Sequence, residues 1–252
     1  MYIDTHLHLS KKDYPNIEEI IRKANNSNVK RLIVSGCDIE GIKESIGLAN
    51  QYEEIYLTLG FHPEVANKIE EKDILWLEEQ LKHPKVIGLG EIGLDYHWIK
   101  DNKDKQKEIF LRMLEIAKKR KLPVIIHSRD AAEDTLNILK KESIKGIIHC
   151  FSGSLEIAKD YIKLGYYLGI GGVVTFKNAG LQEIVSEIKL EHLLLETDSP
   201  YLAPNPHRGK QNSPEFIPII AEKIAELKKI TTETVEKVTT ENANTIFNFK
   251  SK

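Results

Sequence analysis

The chain has 252 residues, enough for a sizeable core, and its 36 Lys and Arg against 38 Asp and Glu leave a formal net charge of -2. That balance excludes a global positive field for nucleic acid, so contact with a polyanion needs a local basic patch or bound cations. No apolar run reaches membrane-span length, no basic-then-apolar leader opens the chain, and two cysteines without a CxxC predict reduced thiols in a cytoplasmic protein.

The first predicted strand, "MYIDTHLHL", carries His6 and His8 on alternate positions, and "NIEEIIRKANNSN" follows it with helical spacing. "VKRLIVSG" and the helix "DIEGIKESIGLANQY" come next. "EIYLTLGF" runs into His62 of "GFHP" and precedes the helix "EKDILWLEEQLKH". "KVIGLGEIG" ends at Glu91 and precedes "KDKQKEIFLRMLEIAKKRK". "LPVIIHS" ends at His127, "KGIIHCF" at His149 and "EHLLLETD" at Asp198, with "GYYLGIGG" as the seventh strand. Helical patterns "DAAEDTLNILKKES", "SLEIAKDYIKLG" and "NAGLQEIVSEIK" separate these strands. "SPEFIPIIAEKIAELKK" and "TTETVEKVTTENANTIFNF" close the chain.

Strands alternating with helices at this length predict an α/β fold, a single (β/α)8 TIM barrel spanning 1–252 as one domain. A doubly wound open sheet is the alternative, but no Gly-rich phosphate fingerprint follows the first strand. In a barrel the C-terminal strand ends carry the chemistry, and there the sequence places His6, His8, His62, Glu91, His127, His149 and Asp198.

Side chains at i and i+2 share one face of a strand, so His6 and His8 can grip one cation. Histidine nitrogen and carboxylate oxygen suit borderline divalent metals. Four histidines (His6, His8, His127, His149) and two acids (Glu91, Asp198) exceed the needs of one tetrahedral ion. Two divalent ions bridged by a carboxylate would use them all, with Glu91 as the bridge. Any one strand-end histidine is more often structural than a ligand; the joint occurrence argues for a site. His83 and His192 lie elsewhere and read as structural. His97 reads as a substrate contact or a surface residue with equal weight. Asp4 reads as a hydrogen-bonding group inside the barrel, Glu196 as a support for the ligands, and Cys150 as a small buried hydrophobe.

The order HxH, GxHP, GEIGLDY, IHSRDA, HCFSG and ETDSPYLAP…RGKxN resembles the TatD family of metal-dependent hydrolases, within the amidohydrolase superfamily. The resemblance runs from residue 3 to about Asn212. It implies a two-metal phosphodiesterase acting on DNA, a deoxyribonuclease with exonuclease character. Carried over, it implies that His6, His8 and Asp198 hold one metal, that His127 and His149 hold the second, and that Glu91 bridges. His62 would contact the scissile phosphate or leaving group. The family often has another histidine after GxHP, where this chain has Glu64.

Phosphodiester hydrolysis requires an activated water and relief of phosphate charge, which two divalent ions supply, with Asp198 as proton acceptor. Arg129, Arg208 and Lys210 follow strand ends and are candidate phosphate contacts, each with a solvated surface cation as the alternative. Phe151 and Tyr201 are candidates to stack on bases of a single-stranded end, with core packing as the alternative. The expected partner is DNA at its single-stranded ends, with no membrane and a monomeric chain. Competing functions are an esterase or amidase, such as a D-aminoacyl-tRNA deacylase using the same ligands, and a non-enzymatic metal-stabilised binding protein. Zn, Mg, Mn and Ni are not distinguished by the sequence.

Overall fold

Eight parallel strands follow one another around a single sheet in chain order, as the computed structural model shows for residues 1–98, 101–177 and 179–249. The strands are β1 (Tyr2–Leu7), β2 (Val29–Gly36), β3 (Ile55–Leu59), β4 (Val86–Asp95), β5 (Val124–Arg129), β6 (Gly146–Ile148), β7 (Tyr167–Ile170) and β8 (Leu193–Leu195). The helices are α1 (Ile17–Asn26), α2 (Ile39–Gln51), α3 (Glu71–Gln80), α4 (Lys103–Arg120), α5 (Ala132–Leu139), α6 (Leu155–Lys163), α7 (Leu181–Glu187), α8 (Ile217–Lys228) and α9 (Thr232–Phe247). Each β-to-β step carries a helix, so the expected (β/α)8 barrel is present. The ring returns to β1 through Asp198 N–H to the His6 carbonyl at 3.0 Å and His8 N–H to the Ser199 carbonyl at 2.7 Å.

The local chemistry accounts for the elements. Parallel strands covered by helices are apolar nearly throughout, and β1, β6 and β8 are buried along their length. Helix starts are closed by side chains: Asp38 accepts from Gly41 N–H at 2.7 Å, and Asn16, Ser154 and Thr231 cap in the same way. Each such cap contributes about 1 kcal/mol. Left-handed residues Lys121 and Lys229 end α4 and α8.

Two apolar layers hold the barrel. The larger lies between sheet and helices. The smaller takes one residue from every strand: Ile3, Ile33, Tyr56, Ile87, Ile125, Ile147, Tyr167 and Leu194. This ring fills the inside of the barrel, and Ala243, Phe247 and Phe249 from the chain's end close it below. The polar residues of the same strands therefore have only the opposite mouth to occupy.

Two strands end earlier than their sequence pattern predicts. β6 stops at Ile148 and β8 at Leu195, so His149 and Asp198 sit in the irregular turns beyond. The turns use left-handed backbone at Cys150 (φ 45°) and Asp198 (φ 55°). Asp is among the residues that tolerate this region.

Candidate metal centre

β1 delivers His6 and His8 to the mouth, and each ring is oriented from behind. Ser35 Oγ, on β2, lies 3.2 Å from His6 Nδ1 and 2.7 Å from Thr58 Oγ1 of β3. That contact turns His6 Nε2 toward the centre, where it lies 3.3 Å from His8 Nε2. Glu91 Oε2 is 3.4 Å from His6 Nε2 and 3.6 Å from His8 Nε2; Asp198 Oδ1 is 3.7 and 3.5 Å from the same atoms.

The other carboxylate oxygen of Glu91 faces a second set. His127 Nδ1 is 2.7 Å from Oε1, His149 Nε2 is 3.4 Å away, and His62 Nε2 is 3.5 Å away. Glu91 is thus shared, one oxygen per cluster. It is buried, as are His6 and His149.

Those separations test whether the residues suit a metal. Ligands held at ~2.1 Å around a tetrahedral ion stand about 3.4 Å apart. The donors His6 Nε2, His8 Nε2, Glu91 Oε2 and Asp198 Oδ1 match that spacing, and imidazole with carboxylate is the donor chemistry of borderline divalent ions. Two Nε2 atoms at 3.3 Å gain nothing from each other unless a proton or a cation lies between them. The residues fit.

Supporting carboxylates complete the arrangement. Glu196 Oε1 lies 3.1 Å from His149 Nδ1 and also accepts the Cys150 N–H at 2.6 Å. Asp95 Oδ2 lies 2.9 Å from His127 Nε2. Asp95 is absent from the sequence reading, yet it falls four residues after Glu91 on the same strand, and that even spacing was the available signal. Asp4 is fully buried and accepts from Thr197 N–H at 2.9 Å and Thr197 Oγ1–H at 2.5 Å, the interior role expected of it.

The electrostatics follow from this packing. Burial alone would lower the pKa values of His127 and His149, but neighbouring carboxylates win and both rise to about 9: Asp95 and Glu91 for His127, Glu91 and Glu196 for His149. Burial alone would raise Glu91, but His149, His62 and His127 hold it well below the usual carboxylate range. Asp198 is likewise lowered, by His149 and His8, against its own desolvation. Burial and the His149 charge lower His6. Burial drives Asp4 up to about 8 despite its hydrogen bonds to Thr197.

A cleft of about 690 Å³ opens over the centre, lined among others by His62, Glu91, His127, Arg129, Asp198 and Tyr201. Arg129 and Tyr201 therefore stand where substrate would lie. Phe151, Arg208, Lys210 and His97 lie outside the cleft lining. Phe151 is only 4% exposed and packs in the core, so it offers no face to a base. Arg208 lies over the Phe176 ring at 4.3 Å and lines a separate basic cavity with Lys177 and Lys223. Lys210 is exposed and lines neither cavity. His97 pairs with Asp130 at 3.0 Å and is outside the cleft lining. Cleft residues that the sequence did not single out include Asp95, Cys37, whose Sγ is 3.6 Å from Glu91 Oε2, and the exposed Trp98 and Leu202.

Comparison with known proteins agrees with this geometry. A metal-dependent hydrolase of Bacillus subtilis, YabD, is 46% identical over 252 residues, covering 98% of this chain and 99% of that protein. YcfH of Escherichia coli, also a metal-dependent hydrolase, is 36% identical over 97% of this chain and 95% of its own length. The crystal structure of the TatD homologue YjjV from Escherichia coli superposes with a TM-score of 0.91 at 30% identity, covering 99% of this chain and 98% of that one. The profile of the TatD-related DNases matches residues 3–248, and the chain belongs to that family of metal-dependent hydrolases.

Proposed function

We propose that the protein is a two-metal phosphodiesterase that hydrolyses DNA from single-stranded ends. The observation that carries this reading is Glu91, whose two oxygens face different donors on the floor of one cleft, His6 and His8 on one side and His127 and His62 on the other, with His149 close to both sets. His6, His8 and Asp198 would hold one divalent cation, and His127 and His149, with His62 beside them, the other. Bound there, the cations would supply Lewis acidity to the phosphate and to an attacking water.

The chain's own residues do the rest. Asp198 lines the cleft and is ionised at neutral pH, so it can accept a proton during attack. Asp95 and Glu196 hold His127 and His149 by one nitrogen, leaving the other aimed at the centre. Arg129 lines the same cleft and can pair with a phosphate oxygen. With a net charge of -2 and Arg129 standing in the cleft beside Asp38, Glu64, Glu91, Asp95 and Asp198, affinity for DNA rests on the bound cations and Arg129, which suits an accessible strand end better than a gripped duplex. On this reading the working form is a monomer, since one chain supplies every ligand, and it works in the cytoplasm, to which two cysteines without a CxxC point.

The test is a time course on a single-stranded oligonucleotide with metal-loaded and chelated protein. Loss of activity on chelation and its return with metal support the reading. Equal rates in both would remove it, as would exclusive turnover of a D-aminoacyl-tRNA.

A further inference from the structure

We propose that Trp98 and Tyr201 form opposing aromatic lips of the cleft, each stacking one nucleobase, so that the bond cut lies between two held bases. This rests on the phosphodiesterase reading and deepens it.

The exposure pattern is the first observation. Trp98, Tyr201 and Leu202 are 63, 60 and 41% exposed, and all three line the cleft above the metal-binding residues. Among the described residues, the other large exposed apolar side chains, Met1, Leu75, Leu111 and Ile230, are outside the cleft lining. Isolated exposed apolar residues are ordinary; three around one polar cleft mark a surface built to be covered.

Topology is the second observation. Trp98 follows β4 and Tyr201 follows β8. In a ring of eight strands in chain order, the fourth and eighth stand across the mouth from each other. The Glu91 carboxylate and its two donor clusters lie on the floor between them. A phosphate on that floor therefore has an aromatic ring on each side.

Both lips are held in place. Asp95 Oδ1 accepts the N–H of His97 at 2.9 Å and of Trp98 at 3.1 Å. The Arg129 guanidinium lies 5.2 Å over the Trp98 ring. On the other side, Asn212 Nδ2 donates to the carbonyls of Thr197 and Tyr201 at 2.8 and 2.6 Å, and the Tyr201 ring lies 6.1 Å from His8. The lips are thus tied to the residues that flank the metal centre, Trp98 through Asp95 and Tyr201 through the Asp198 turn. Arg129 adds a cation where strand phosphate and stacked base meet. Every base has a π-face, so such lips grip bases with little regard to sequence, whereas a baseless ester finds nothing to stack on.

The experiment uses oligo-dT and a matched strand with abasic sites on both sides of the scissile phosphate. For the metal-loaded wild type, kcat/KM should favour the base-bearing strand, and Trp98→Ala or Tyr201→Ala should cost about 5- to 100-fold on that strand. Each variant should also shrink the preference over the abasic strand, and Trp98→Phe should recover most of it. Trp76 is the only other tryptophan. In Trp76→Phe carrying Asp198→Asn to slow turnover, oligo-dT should quench Trp98 emission and the abasic strand should not. Unmoved emission with strands that bind by anisotropy, or a wild type indifferent to abasic sites, would overturn the aromatic lips and leave the nuclease reading standing. Quenching without hydrolysis of any strand would keep the lips as a nucleotide-binding feature and remove the nuclease reading. Neither binding nor hydrolysis would remove both.

Discussion

Asp95 Oδ2 stands 2.9 Å from His127 Nε2, and Glu91 Oε1 stands 2.7 Å from the Nδ1 of the same ring. One imidazole is thus held between two carboxylates of a single strand, β4. Of the two, Asp95 faces away from the other donors, and burial notwithstanding its hydrogen bonds hold it at about 2, ionised at every working pH. Asp95→Asn would remove the charge while keeping the shape. It should weaken metal binding about 10- to 100-fold, as loss of a partner behind a ligating histidine does. Competition with a calibrated chelator reads this directly; unchanged affinity would make Asp95 a support for the Trp98 turn alone.

Metal binding should release protons. His127 and His149 sit at about 9 in the metal-free protein, so both carry a proton at pH 7 that a cation must displace. His8, raised as well, against its own burial, by Cys37 and the carboxylates beside it, must also give up its proton, so affinity should climb with pH from 7 upward, by up to tenfold per unit for each proton released. Calorimetry in two buffers of different ionisation enthalpy counts the protons, and a count of zero at pH 7 would refute the assignment.

The same shifts set the stability of the chelated protein. A histidine raised from 6.5 to about 9 stabilises the fold fully below pH 6.5 and loses that contribution as pH rises through 9. Asp4, raised to about 8, binds a proton on folding and so also weakens the fold as pH rises from about 4 to 8. The Tm of chelated protein should fall between pH 6.5 and 9.5, and bound metal should flatten the fall. A Tm rising over that range without metal would contradict both assignments.

Glu91→Ala should cost both cations, because each donor cluster loses its shared oxygen. Asp198→Asn should keep most metal, since the amide retains an oxygen, yet lose about 10²–10⁴ in kcat under metal-replete conditions if proton transfer is its main task. Elemental analysis alongside kinetics separates the two residues. Full metal in Glu91→Ala would end the bridging role, and near-normal kcat in metal-replete Asp198→Asn would pass proton acceptance to another group.

Arg208 belongs to the cavity it shares with Lys177 and Lys223. Its loop begins at Tyr201 on the cleft, so a strand leaving the metal centre can reach it. Arg208→Ala should raise KM for an oligonucleotide by an amount equivalent to roughly 1.5–3 kcal/mol. It should also lower the salt slope by about 0.7, the share of one phosphate on single strands. Equal KM and slope at low salt would return it to the solvated surface.

Much of this was readable in the sequence, and the failures have identifiable causes. The strands announced themselves because a parallel sheet covered on both sides is apolar throughout, and their last residues stood out as polar. That contrast exposed His6, His8, Glu91, His127, His149 and Asp198. It overextended β6 and β8, since residues in a tight left-handed turn carry no period. Asp95 was overlooked because it continues a strand that already had its polar residue. The sequence did not decide Phe151 between stacking and core, and did not single out Trp98, for a different reason. Burial of an aromatic depends on which way the chain leaves the strand, and local pattern does not encode that direction: Phe151 turns under the mouth and Trp98 over it.

The hydrogen bonds from Asp198 to His6 and from His8 to Ser199 join residues about 190 positions apart. The donors gathered around Glu91 come from nearly the whole length of the chain. While the protein is being synthesised, the cation of His6, His8 and Asp198 cannot find its full set of ligands until β8 has left the ribosome and met β1. The ion therefore cannot template early folding; it can only lock a ring already closed. The cell's supply of free metal would then govern how much finished protein is active, and would add stability only to chains that have already closed the ring.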